Sequence, residues 1–102
     1  MWHQVIASSE LSDGEKKVVS LGPSQIIVYR NGDRYFASVL QCPHGDVSLE
    51  DADFENNRVI CQGHGYGFDV RDGRCDAHPS YELTTFLTRV KDGFVNVWSP
   101  IF

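Results

Sequence analysis

Apolar residues along this chain recur in alternation or in short runs, and no stretch of helical length keeps a period of 3.6. Trp2 to Ala7 reads as a first strand, with Gln4 marring its alternation, and Ser8 to Gly14 as a turn rich in Ser and Asp. Glu15 to Leu21 is strand-like around Val18 and Val19 until Gly22-Pro23-Ser24 breaks it. Gln25 to Arg30 contains the run Ile26, Ile27, Val28, Tyr29, which predicts burial. Asn31-Gly32 is the strongest hairpin signal, and Arg34 to Leu40 is its returning partner. Val47 to Asp53 is irregular and Asn56-Asn57 marks a turn. Arg58 to Cys61 and Tyr66 to Val70 predict two strands of one hairpin. Asp72-Gly73 turns the chain into a loop, Arg74 to Ser80, that contains Pro79. Glu82 to Lys91 is β-rich, and Asp92-Gly93 makes a last hairpin with Phe94 to Trp98. Many short strands punctuated by Gly turns predict an all-β fold, a small barrel or sandwich of antiparallel sheets.

Two interruptions of that pattern carry chemistry. Cys42-Pro43-His44-Gly45 follows directly off a predicted strand end, and Cys61-Gln62-Gly63-His64-Gly65 lies between the strands of the later hairpin. The spacing is C-x-H, then sixteen residues (45 to 60), then C-x-x-H. Cys42, His44, Cys61 and His64 are therefore candidate metal ligands. Thiolate with imidazole suits zinc, copper or iron–sulfur chemistry, whereas calcium and magnesium want oxygen. Two Cys can hold one iron of a [2Fe–2S] cluster while two His hold the other. One Cys and one His from each of two facing loops supply that set. A structural zinc site is the alternative, although zinc modules more often group Cys with Cys and His with His. Gly45, Gly63 and Gly65 leave room for backbone beside a bulky group, and Pro43 stiffens the first loop.

Cys42-Pro43-His44-Gly45-Asp46 and Cys61-x-x-His64-Gly65-x-x-Phe68-Asp69 resemble the two cluster-binding boxes of Rieske-type ferredoxins, the small electron carriers of bacterial aromatic-ring dioxygenases and related oxygenases. The resemblance runs from the Trp2…Val5 opening to the Asp92-Gly93 hairpin; Gly63 departs from it, where many relatives carry a bulkier residue. It implies one Rieske domain over 1–102, with a cluster-binding part at about 41–80 inserted in a β base. It also implies one [2Fe–2S] cluster on Cys42, His44, Cys61 and His64, and a loop around Pro79 that covers it. The implied role is a one-electron carrier, not an enzyme alone, fed by a flavin-dependent NAD(P)H reductase and serving a terminal oxygenase. Other clients of the same cluster are a nitrite reductase or a di-iron monooxygenase. High-potential relatives carry a Ser, a Tyr and two bridging Cys where this chain has Tyr66, Phe68, Val47 and Gly63. The missing sulfur donors imply a potential at the low end, on the order of −150 mV.

Composition narrows the setting. At 102 residues and 41% hydrophobic content the chain makes one globular domain, of a size that gains from a stabilising cofactor. No apolar run approaches the ~20 residues needed to cross a bilayer. The N-terminal residues lack an export signal, which with the unpaired Cys75 predicts the cytoplasm. A net charge of −5 argues against nucleic acid as a partner. Asp46, Glu50, Asp51, Asp53 and Glu55 cluster without a Lys or Arg until Arg58, either as a solvated loop or as a negative rim that steers a basic partner. His3 reads as a surface residue, Cys75 and His78 as inert loop residues, and Trp2 and Trp98 as packing residues. Tyr66 and Phe68 are expected to pack beneath the second box.

Overall fold

The computed structural model describes residues 1–45, 47–63 and 65–100. Its strands are β1 (Trp2–Ala7), β2 (Lys16–Leu21), β3 (Ser24–Asn31), β4 (Arg34–Val39), β5 (Asp53–Glu55), β6 (Arg58–Ile60), β7 (Gly67–Asp69), β8 (Thr85–Phe86), β9 (Thr88–Lys91) and β10 (Phe94–Trp98). They form three antiparallel sheets, β1-β10-β9, β2-β3-β4-β8 and β5-β6-β7. The all-β expectation holds, and no helix among the described residues is long and apolar enough to cross a membrane.

β3 organises the packing. Ile26, Ile27, Val28 and Tyr29 are all at most 2% exposed, because both faces of this strand are covered. Side chains alternate across a strand. Ile26 and Val28 therefore enter one core with Ile6, Leu11, Leu21, Val95 and Val97. Ile27 and Tyr29 enter the other, with Leu49, Val59, Phe68 and Leu83 and with two of the candidate ligands, Cys42 and Cys61. Tyr29 spans that second core: its hydroxyl meets Ser38 Oγ at 2.8 Å and its ring lies 5.0 Å from Phe54 on β5.

The chain ends close the first sheet. Met1 donates from its amino terminus to the Ser99 carbonyl, and the Ser99 N–H returns to Met1, each at 2.9 Å. The imperfect alternation at Gln4 has a cause. Pairing with β10 jumps from Gln4↔Asn96 to Ile6↔Val95, so Val5 is the extra residue of a β-bulge.

Two expectations change. Asp53–Glu55, read as the end of an irregular stretch and the approach to a turn, forms β5. It pairs with β6 through Asn56 and Asn57, both at positive φ (53° and 64°), the pairing geometry of a primed turn. The β-rich stretch 82–91 is split in two. β8 joins β4, β9 joins β10, and Leu87 between them is 68% exposed where the chain changes sheets.

Candidate metal centre

β4 ends at Val39 and delivers the chain into the first box; the second box joins β6 to β7. As expected, β6 and β7 pair across the second box, and the first comes from a separate connection. The two loops are built alike. The Cys42 N–H donates to the Val47 carbonyl and the Cys61 N–H to the Tyr66 carbonyl, at 2.9 and 2.8 Å. Each Cys carbonyl then accepts from a glycine N–H, Gly45 for Cys42 and Gly65 for Cys61. Each thiol is thus held at the root of a tight loop and faces the protein interior.

The loops converge. Cys42 Sγ, Cys61 Sγ and a His44 ring nitrogen all lie within 4.8 Å of one another. His44 Nδ1 is 2.5 Å from Cys42 Sγ and 3.7 Å from Cys61 Sγ. The cysteines are 2% and 0% exposed, whereas His44 is half-buried and lies toward the surface. The fourth candidate, His64, lies outside the described residues, as does Asp46 of the acidic cluster. Burial pushes the Cys42 thiol up to about 11, partly offset by the His44 backbone N–H bonded to its sulfur. A metal ligand must be thiolate, so uptake of a metal there has to displace that proton. Two buried soft sulfurs with one half-buried imidazole fit an iron–sulfur group and do not fit an oxygen-seeking cation.

The glycines serve different ends. A Cβ on Gly63 would meet Val47 Cγ2 at 3.0 Å and Cys61 Sγ at 3.7 Å, so the loops meet closely there and a larger residue would push them apart. Positions 47 and 63 are therefore neighbours across the site, joined by packing and not by a covalent link. Gly65 adopts φ +74°, which favours glycine. Gly45 has open space around the position a Cβ would take.

The loop around Pro79 lies beside the site and brings Tyr81 to His44. Asp76 pins it to the second box: its N–H donates to the Gly67 carbonyl at 3.0 Å, its carboxylate accepts from the Gly67 N–H, and it pairs with Arg58. Beyond it come His78 and Tyr81. The Tyr81 ring lies 6.0 Å from His44 and 4.7 Å from His78; Tyr66 lies edge-on to His44 at 5.1 Å. His78, read as inert, is thus part of an aromatic group, with Nδ1 2.8 Å from Ser80 Oγ. Tyr81 was missed; two aromatic rings flanking Pro79 were the available signal. Pro79 itself is exposed and lines a shallow hollow with Cys75, Tyr81 and Glu82. Phe68 is fully buried beneath the second box, as expected.

The acidic cluster is less isolated than the linear order suggests. Lys16 Nζ donates to the Glu50 carbonyl, and Lys16 and Lys17 share a surface hollow with Glu50 and Asp51.

Comparison with known proteins agrees with this geometry. The Rieske [2Fe-2S] domain profile matches residues 1–87. Ferredoxin CarAc of Metapseudomonas resinovorans is 32% identical over 99 residues, covering 95% of this chain and 92% of that one. The ferredoxin component of biphenyl 2,3-dioxygenase from Rhodococcus jostii (strain RHA1) is 32% identical over 89 residues, covering 86% and 83%. Among solved structures, a chain from the complex of reduced oxygenase and oxidized ferredoxin in carbazole 1,9a-dioxygenase superposes with a TM-score of 0.84 at 32% identity, covering 94% of this chain and 91% of that one.

Proposed function

Because this chain belongs to the Rieske [2Fe–2S] domain family, we propose that Cys42, His44, Cys61 and His64 hold a single [2Fe–2S] cluster and that the protein carries electrons, one at a time, to a terminal oxygenase. The observation that carries this reading is the convergence of two buried thiols and a half-buried imidazole from separate loops, within 4.8 Å. When bound, the cluster supplies one-electron redox chemistry. The chain's own contribution is asymmetric. Cys42 and Cys61 fix the inner side out of reach of water, and His44 presents an imidazole on the outer side, the short path to a partner.

Several features support a low potential, on the order of −150 mV. Phe68 offers no hydroxyl to a cysteine sulfur, Tyr66 replaces a smaller hydroxyl residue, and Val47 and Gly63 cannot form a disulfide. Each absent donor leaves sulfur richer in electrons, which disfavours reduction. Such a potential suits a flavin-dependent reductase that draws on NAD(P)H, and we assign that class of enzyme as the electron source. Relatives named as ferredoxin components of dioxygenase systems support an aromatic-ring-hydroxylating oxygenase as the client. The division of the chain into a β base and a site-bearing part at about 41–80 is supported by the separate β5-β6-β7 sheet. With Cys42 and Cys61 assigned to the cluster, Cys75 is left without a disulfide, which suits a reducing compartment, and we place the protein in the cytoplasm.

Potentiometric titration tests the assignment. One electron per chain at a midpoint near the low end of the Rieske range is expected, followed by reoxidation on anaerobic mixing with the oxygenase component of a ring-hydroxylating dioxygenase. A chain that takes up no electron would overturn the assignment, and a midpoint well above zero would overturn the low potential.

A further inference from the structure

We propose that Tyr81 is a positioning residue for His44: its ring, with that of Tyr66, holds the imidazole in one orientation and keeps water from that side of the site. The inference rests on the reading of His44 as a cluster ligand. The two tyrosine rings lie 5.8 Å apart, and His44 is within 5.1 Å of one and 6.0 Å of the other. The interplanar angles of 72° and 58° are those of edge-to-face and tilted aromatic pairs, the arrangements that ring quadrupoles favour. Tyr81 is not a casual neighbour, because the backbone on both sides of it is fixed. Its N–H donates to the His78 carbonyl at 3.1 Å, and two residues on, Leu83 is 1% exposed and donates to the Gly73 carbonyl at 2.8 Å. The His78 ring lies tilted against the Tyr81 ring at 4.7 Å and is itself tied to Ser80. The loop therefore delivers a preset ring to the imidazole. A ligand whose ring cannot turn is harder to detach, and a drier surrounding disfavours the more negatively charged reduced form.

Three substitutions test this in the cluster-bearing protein. Tyr81→Ala is expected to lose iron to a chelator about 2- to 12-fold faster than wild type, the range that a lost aromatic pair implies. It should also raise the midpoint potential and change the g-anisotropy of the reduced electron paramagnetic resonance spectrum. Tyr81→Phe keeps the ring and should match wild type in all three. Tyr81→Leu keeps apolar bulk and protects the fold, yet should show the altered spectrum. If Ala and Leu variants match wild type, or if Phe behaves as Ala does, the inference is overturned while the cluster assignment stands. A wild-type chain isolated with zinc and without inorganic sulfide would instead remove the assignment, and the inference with it.

Discussion

Ile26 and Val28 leave β3 on one side, Ile27 and Tyr29 on the other, and the cores they enter are held in different ways. On the Ile26 side the strands are long. β1, β2 and β4 have six residues each and β3 has eight, with long ladders and Met1 bonded to Ser99. On the Ile27 side the sheet has three strands of three residues each, and much of the wall is loop. Ladders that short stabilise little by themselves. The difference teaches where a bound cluster would matter for stability: the base has long ladders of its own, and the site side would be completed by the cluster proposed on its loops.

The largest break of that comparison is removal of a ligand. Cys61→Ser should abolish cluster retention. Amide exchange should then accelerate through 40–63 and 66–76, while β1, β3 and β10 stay protected. Uniform loss of protection would show that the two cores are one cooperative unit. A pair of cavity mutants sharpens the contrast. Ile26→Ala and Ile27→Ala should each cost about 2–5 kcal/mol in chemical unfolding, but only Ile27→Ala, on the site side, should also speed iron loss.

The next effect is set by pH. Burial pushes the Tyr29 hydroxyl up to about 12, opposed by its bond to Ser38. Below its ordinary value of 10.0 both folded and unfolded chains keep the proton, so this hydroxyl adds no pH dependence. Between there and about 12 the unfolded chain releases it first, and folding should lose up to about 2.7 kcal/mol. Tyr29→Phe should flatten that alkaline slope in a pH series of denaturant titrations. The smallest effect is expected from Asp76→Asn. The Arg58 and Asp76 side chains are both 46% exposed, so their pairing is worth about 0.2–1 kcal/mol. Global stability should barely change, and any change in iron loss should be slight.

The ligand boxes and the hairpins were legible because their signals are local. Asn31-Gly32 and Asp92-Gly93 need only their own turn geometry, and Cys42, His44 and Cys61 announce their chemistry by residue type. β5 was not legible, since Asp-Phe-Glu has one apolar residue and becomes a strand only because β6 offers a free edge. Leu87 looks like any other residue of a β-rich run until two different sheets compete for its neighbours. Lys16 stands 34 residues from Glu50 in the chain and beside it in the fold. The contact of Tyr81 with His44 likewise depends on how the loop after Gly73 is pinned, which no local pattern encodes.

The central claim is that two sulfurs and two imidazoles share one iron–sulfur cluster. Metal and acid-labile sulfide analysis of the purified protein, joined to pulsed electron paramagnetic resonance of its reduced form, tests it most directly. Two irons and two sulfides per chain are expected, with strong couplings to two histidine nitrogens that fall to one in the His44 or His64 variants that keep a cluster. Zinc without sulfide, or a reduced cluster with no nitrogen coupling, would contradict it.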